Sequence, residues 1–152
     1  MTAPTIRRAV SSDAPALLSL YAALAGERRS AQPGGLDGSQ RLLEEILADP
    51  SRHLLVADVG GQTVGTADML IVKNLTHDGM AWAIVENVVV AEQYRRRGIA
   101  RSLFDHLIDI ARTRGCYKLE LLSAKHRAGA HAFYASIGLA AVSEGFKIYF
   151  DD

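Results

Sequence analysis

Between Glu86 and Arg114 the hydrophobic period changes partway through one short stretch, and few folds accommodate that change. Val88, Val89 and Val90 form a compact β-branched run, the composition of a buried strand. Beyond Gly98 the apolar residues Ala100, Leu103, Phe104, Leu107, Ile108 and Ala111 fall at helical spacing and share one face. Arg101, Asp105, Asp109 and Arg112 occupy the opposite, wet side. Gly115 can take the left-handed conformation that ends a helix, and Arg112 and Arg114 suit the negative end of its dipole. A strand that passes through a tight turn directly into an amphipathic helix implies an α/β arrangement, with the helix packed back on the sheet.

The turn itself is Arg95-Arg96-Arg97-Gly98-Ile99-Ala100. The first N–H groups of a helix have no intrahelical partner and sit at the positive end of its dipole, so they can receive an anion. Gly98 carries no side chain to block close approach, and three guanidiniums add charge and forked donors. A phosphate or pyrophosphate seat follows from these features. The same residues would also serve as an ordinary solvated helix start.

With 152 residues, 49% hydrophobic and 22% charged, the chain suits one globular domain over residues 1–152. The 17 basic and 17 acidic residues balance, which argues against nucleic acid or an anionic membrane as a partner. Cys116 has no second cysteine to pair with and reads as a small apolar filler, consistent with a reducing cytoplasmic setting. No stretch has the length of a membrane span or the pattern of a signal core.

Taken in order, Thr5 to Val10 reads as an edge strand, and Ser11-Ser12-Asp13 offers caps for a helix carrying Leu17, Leu18, Leu20, Tyr21 and Leu24. Ala25 to Ser39 reads as a loop, either a connector or an acceptor lid in which Arg28 and Arg29 could clamp a carboxylate. A second helix is expected over Gln40 to Ala48. Two strands, His53 to Val59 and Thr63 to Val72, flank the hairpin signal Gly60-Gly61, and the central strand runs to Ala91. After the long helix come a strand at Tyr117 to Leu122, a helix at Ala128 to Ile137, and two short strands at Ala140 to Ser143 and Phe146 to Phe150.

Arg95, Gly98 and Ala100 occupy the defining positions of the pattern Q/R-x-x-G-x-G/A, and Phe133-Tyr134 with Gly138 is similar to an FYxxxGF helix end. Together, and in this order, the two motifs resemble the GNAT superfamily of N-acetyltransferases. The likeness is strong from about Trp82 to Phe150 and rests on element order alone before that. It implies a mixed sheet of about seven strands with helices on both faces, splayed between the fourth and fifth strands. It also implies acetyl-CoA as acetyl donor, no metal, and a coenzyme site at Arg95, Arg96, Arg97, Gly98, Ile99 and Ala100. Val88 and Val90 would pair with pantetheine along the splayed strand. Many members carry an asparagine seven positions before the tyrosine, but this chain has Arg127 there, to reach a coenzyme phosphate or to remain solvated.

The resemblance makes Tyr134 the general acid at the coenzyme sulfur, against a plain role as a core aromatic. Glu86 on the central strand is the first candidate for the base, with His77 and His131 as rivals. The expected reaction is direct acetyl transfer to a primary amine of a small molecule. Acetylation of a protein N-terminus or lysine is the alternative, and a non-catalytic acyl-CoA-binding regulatory module is the reading from another class. Relatives are often dimers, so the resemblance admits a homodimer.

Overall fold

The computed structural model describes residues 2–25 and 34–150. Five strands, β1 (Thr5–Arg8), β2 (Arg52–Val59), β3 (Gln62–Val72), β4 (Trp82–Val90) and β5 (Leu119–Leu121), form one sheet in that order. The first four pair antiparallel, and β4 pairs with β5 in parallel. The helices are α1 (Ala14–Ala25), α2 (Gly35–Ala48), α3 (Ile99–Thr113) and α4 (Ala128–Ser136).

Strand alternation divides the core between the two faces of the sheet. Leu54 and Val56 of β2 pack with Leu17 and Leu43 of α1 and α2, whereas Leu55 and Ala57 pack with Leu103, Phe104 and Leu107 of α3. Those three α3 side chains have no exposed surface, and fully burying each is worth about 1.5–3 kcal/mol. At Gly65 a Cβ would lie 3.2 Å from Ile99 Cγ2, so the absent side chain lets the start of α3 approach β3 closely. The Gly60-Gly61 hairpin takes positive φ at both positions, as its sequence implies.

Several boundaries differ from expectation. The second helix starts at Gly35, not Gln40; Asp37 in its first turn suits the positive helix end. Residues 26–33, and with them Arg28, Arg29 and most of the expected lid, lie outside the described residues. The two expected strands at Ala140 to Ser143 and Phe146 to Phe150 are not strands, so the described sheet has five members rather than about seven. Their alternation suits a sheet, but no neighbouring strand pairs with them.

Asp13, expected as a helix cap, has a larger role. Its carboxylate accepts two hydrogen bonds from the Arg7 guanidinium (2.8 and 2.9 Å) and one from Val10 N–H (2.8 Å), tying β1 to the start of α1. The Arg7 hydrogen bonds hold this carboxyl below the usual carboxylate range, against the opposing effect of burial. A depressed folded pKa stabilises the fold above the unfolded value of about 3.9, and that contribution is lost as pH falls through the folded pKa. Asp13→Asn should therefore cost about 2 kcal/mol in urea unfolding at pH 7. The difference from wild type should shrink progressively as pH falls from about 4, where the unfolded carboxyl takes up its proton, and vanish below the lower folded pKa, where the native carboxyl is neutral too.

Candidate active site

The turn between β4 and α3 has the backbone shape its sequence suggests. Gly98 is left-handed (φ 78°), and so is Arg96 (φ 60°), an unusual conformation for a side chain that branches beyond Cβ only at its far end. Successive turns of this kind bring backbone N–H groups together into a concave anion site. Ser102 N–H donates to Gly98 C=O (3.0 Å) at the start of α3, so the N–H groups of Ile99, Ala100 and Arg101 lie before the helical ladder begins. A Cβ on Gly98 would meet no protein atom within 4 Å, which leaves the turn open.

The three arginines divide their tasks. Arg95 turns back and donates through Nε to Val90 C=O (3.0 Å), bracing the turn on the end of β4. Arg97 lies over the Tyr94 ring, 5.4 Å from its centre. All three are exposed, and Ile99 is buried beneath them as the anchor of the helix start.

Pairing between β4 and β5 ends at Val85–Leu121, although β4 continues to Val90. This is the expected splay. Ala91 N–H donates to Val64 C=O (2.8 Å), so by alternation the backbone groups of Val88 and Val90 face the opposite, splayed side. A bulge precedes them: β3 residues Thr66 and Asp68 pair with Val89 and Glu86, which sets two residues of β4 against Ala67 alone. Asn87 takes φ 54° there, and the bulge changes which residues of β4 face α3: Ala83 and Val85 belong to that core before it, and Val88 and Val90 pack against the same core after it.

Tyr134 and Glu86 lie on different faces. Tyr134 is half-buried on the α3 side, its ring edge-on to Phe104 with centroids 5.8 Å apart. Burial raises its hydroxyl pKa, and the nearby charge of Arg127 acts in the opposite sense more weakly. Arg127 itself is exposed at the N-cap of α4. Glu86 is exposed and stands opposite Asp68, on the side of α1 and α2.

On the Glu86 side the described residues enclose a cleft of about 190 Å³, with Leu17, Leu42 and Ile46 in its apolar walls. Its polar groups include Tyr21, Arg52, Asp68 and Asn87, none of which the sequence reading singled out as functional. Arg52 donates to both oxygens of the buried Asp68 (2.9 and 2.6 Å). Burial raises the Tyr21 pKa, so that hydroxyl stays protonated. A carboxylate inside the apolar strand around Met69 was the available signal. The Ser123 hydroxyl, just after β5, is buried without a hydrogen-bond partner among the described residues, a state that calls for a ligand or water.

His77 stacks on Tyr117 at 3.9 Å and lies 3.0 Å through Nδ1 from the Thr76 hydroxyl; His131 is exposed on α4. Neither lines the cleft, and Glu86 is on its side of β4 without lining it. Cys116 is half-buried against the core, and burial raises its thiol pKa, in keeping with a packing role.

The Acetyltransferase (GNAT) family matches residues 18–139. Glucosamine 6-phosphate N-acetyltransferase of Trypanosoma brucei brucei is 36% identical over 81 residues, 53% of this chain and 53% of that protein. The chain spans about half the length of the first curated relatives it matches. A solved structure from Agrobacterium tumefaciens strain C58, designated an acetyltransferase, is 36% identical with a TM-score of 0.87, covering 95% of this chain and 99% of that one. Glucosamine-6-phosphate N-acetyltransferase from Arabidopsis thaliana superposes with a TM-score of 0.86 over 99% of this chain and 100% of that one; at 22% identity it shows likeness of fold alone.

Because Gly98 is left-handed, a branched replacement there would confound loss of binding with backbone strain. Asparagine tolerates that conformation better than most residues, yet it places a side chain in the open turn. Gly98→Asn should weaken coenzyme A binding at least tenfold by calorimetry and leave the circular dichroism spectrum unchanged. Undiminished affinity would remove this turn from the binding site.

Proposed function

The chain belongs to the acetyltransferase (GNAT) family, and on that footing we propose that it transfers an acetyl group from acetyl-CoA to the primary amine of a small molecule. The observation that carries this reading is the continuity of the splayed side of β4 with the open helix start at Gly98. An extended pantetheine can add to the strand edge through Val88 and Val90, while its pyrophosphate meets the N–H groups of Ile99 and Ala100 and the guanidiniums of Arg96 and Arg97. Arg95 holds the turn in shape through Val90. The orphaned Ser123 hydroxyl supplies a polar contact near the end of β5, and Arg127 adds positive charge at the start of α4.

Acyl transfer to an amine requires loss of an ammonium proton, stabilisation of an oxyanion and protonation of the leaving thiolate. An amine of pKa ~10.4 is almost wholly charged at neutral pH. Glu86, on the cleft side of β4, accepts that proton directly or through water. The Val88 backbone N–H stabilises the oxyanion from the strand edge. Tyr134 acts from the other face. Its reference pKa of ~10 already exceeds the ~8.5 of a thiol, and burial raises it further. The hydroxyl therefore works as a neutral hydrogen-bond donor while charge develops on sulfur, since full proton transfer from it would be uphill, and the thiolate takes the second proton that the amine nitrogen sheds on becoming an amide. With both substrates bound on opposite sides of the splay, the transfer is direct and forms no covalent enzyme intermediate.

The position of the cleft beside Asn87 supports a small-molecule acceptor, as does the name of the Trypanosoma relative. Arg52 is already paired with Asp68, and the described walls are otherwise largely apolar, so an amine on a partly apolar body suits the cleft.

Coenzyme A release measured over a panel of small amines tests the reading. Wild type should turn over at least one of them, and Tyr134→Phe should lower kcat by roughly 10²–10³-fold, the range for removing one hydrogen-bond donor to a developing charge. Acetyl-CoA affinity should be nearly unchanged, because the ring and its contact with Phe104 remain. Turnover at the wild-type rate would reduce Tyr134 to a packing residue.

A further inference from the structure

Asp68 is a carboxylate in the middle of an apolar strand. Its neighbours Ala67 and Met69 are fully buried on the α3 face, while Asp68 lies on the other face and lines the cleft with Arg52, Tyr21 and Asn87. Arg52 meets it along one edge of the guanidinium. Nε and Nη2 donate to the two carboxylate oxygens (2.9 and 2.6 Å), which commits that edge. The remaining nitrogen, Nη1, lies on the edge turned away from Asp68, and its N–H donors bond no group among the described residues. The Arg52 side chain is 31% exposed against 4% for Asp68, so the guanidinium, not the carboxylate, meets the cleft.

The pairing sets the charge of these donors as well as their direction. With Asp68 bound to it, the guanidinium offers N–H groups from a pair that has no net charge. A ligand carboxylate placed there would give up its hydration for a neutral pair, with Asp68 behind the guanidinium and Glu86 opposite Asp68 both repelling it. A carbonyl or hydroxyl oxygen accepts the same hydrogen bond at a smaller desolvation cost. Two strand spacings, about 10 Å, separate β2 from β4 and hence such an oxygen from an amine at the Asn87 end of the cleft. Leu17, Leu42 and Ile46 offer apolar contact to the spacer between them.

On the acetyl-transfer reading above, from which the amine end of the ligand follows, we infer that the Arg52–Asp68 pair determines acceptor specificity. It selects amines that carry an uncharged oxygen at the far end of an apolar spacer, and it rejects those that carry a carboxylate there.

The probes ω-aminohexanamide and ω-aminohexanoate differ only at the distal group. Calorimetry on the protein saturated with coenzyme A should show the amide binding roughly tenfold more tightly, with NMR shifts at the backbone amides of Asp68 and Asn87. Asp68→Asn keeps an oxygen for Arg52 but leaves its charge uncompensated, so the order of the two probes should reverse. Arg52→Gln with Asp68→Asn removes both charges and orphans neither. It should weaken amide binding roughly tenfold, with the loss in turnover falling on KM more than on kcat. Circular dichroism checks that both proteins fold. Equal binding of the two probes by wild type, an unchanged order in folded Asp68→Asn, full affinity in the double variant, or shifts confined to other parts of the chain would each overturn the inference. Turnover of both probes with equal efficiency would overturn it and leave acetyl transfer standing. Selective binding of the amide without turnover of any amine would overturn acetyl transfer and leave the Arg52 contact in place.

Discussion

Past Val85 the fourth strand has a hydrogen-bonded neighbour on one side only, and the proposed chemistry depends on that asymmetry. A strand in the interior of a sheet ordinarily spends its backbone groups on both neighbours. Here β3 keeps β4 in place through Val90, while β5 stops pairing at Leu121 and leaves the other side available. Burial of α3 keeps the arrangement rigid. Leu103, Phe104 and Leu107 fix the helix on the sheet, and Gly65 admits Ile99 close to β3, so the turn at Gly98 cannot drift from the end of β4.

The bulge at Asn87 complements the splay. Without it, the odd-numbered residues that face α3 at Ala83 and Val85 would face it throughout the strand. With it, Val88 and Val90 pack toward α3 and turn their backbone groups toward the open side, while Ala91 bonds Val64 of β3. Asn87 itself, released from the ladder, reaches the cleft that holds Tyr21, Arg52 and Asp68. One extra residue thus shapes both the open side of β4 and the cleft on the opposite face.

Much of this could be read from the sequence because local periodicity reports burial directly. The face of α3 carrying Leu103, Phe104 and Leu107 and the positive-φ turn at Gly60-Gly61 are local properties, and they appear as expected. The bulge was not readable, since Asn87 in an otherwise apolar strand does not reveal which partner residue it will lie opposite. The cleft was not readable either. Tyr21, Arg52, Asp68 and Asn87 come from four separated elements and meet only when the sheet forms. Phe146 to Phe150 shows the limit of pattern most clearly: alternation makes a segment competent to be a strand, but pairing requires a neighbour, and none lies beside it within the described chain.

The central claim is that the splayed edge of β4 and the adjoining helix start receive the coenzyme as one continuous surface. Residue-resolved amide hydrogen exchange, with and without saturating coenzyme A, addresses it without requiring an acceptor. The account predicts slowed exchange at Val88, Val90, Ile99 and Ala100 together, with little change in β1 and β2. Protection confined to the cleft between α1, α2 and the sheet, or absent from Val88 and Val90 while the ligand is bound, would contradict it.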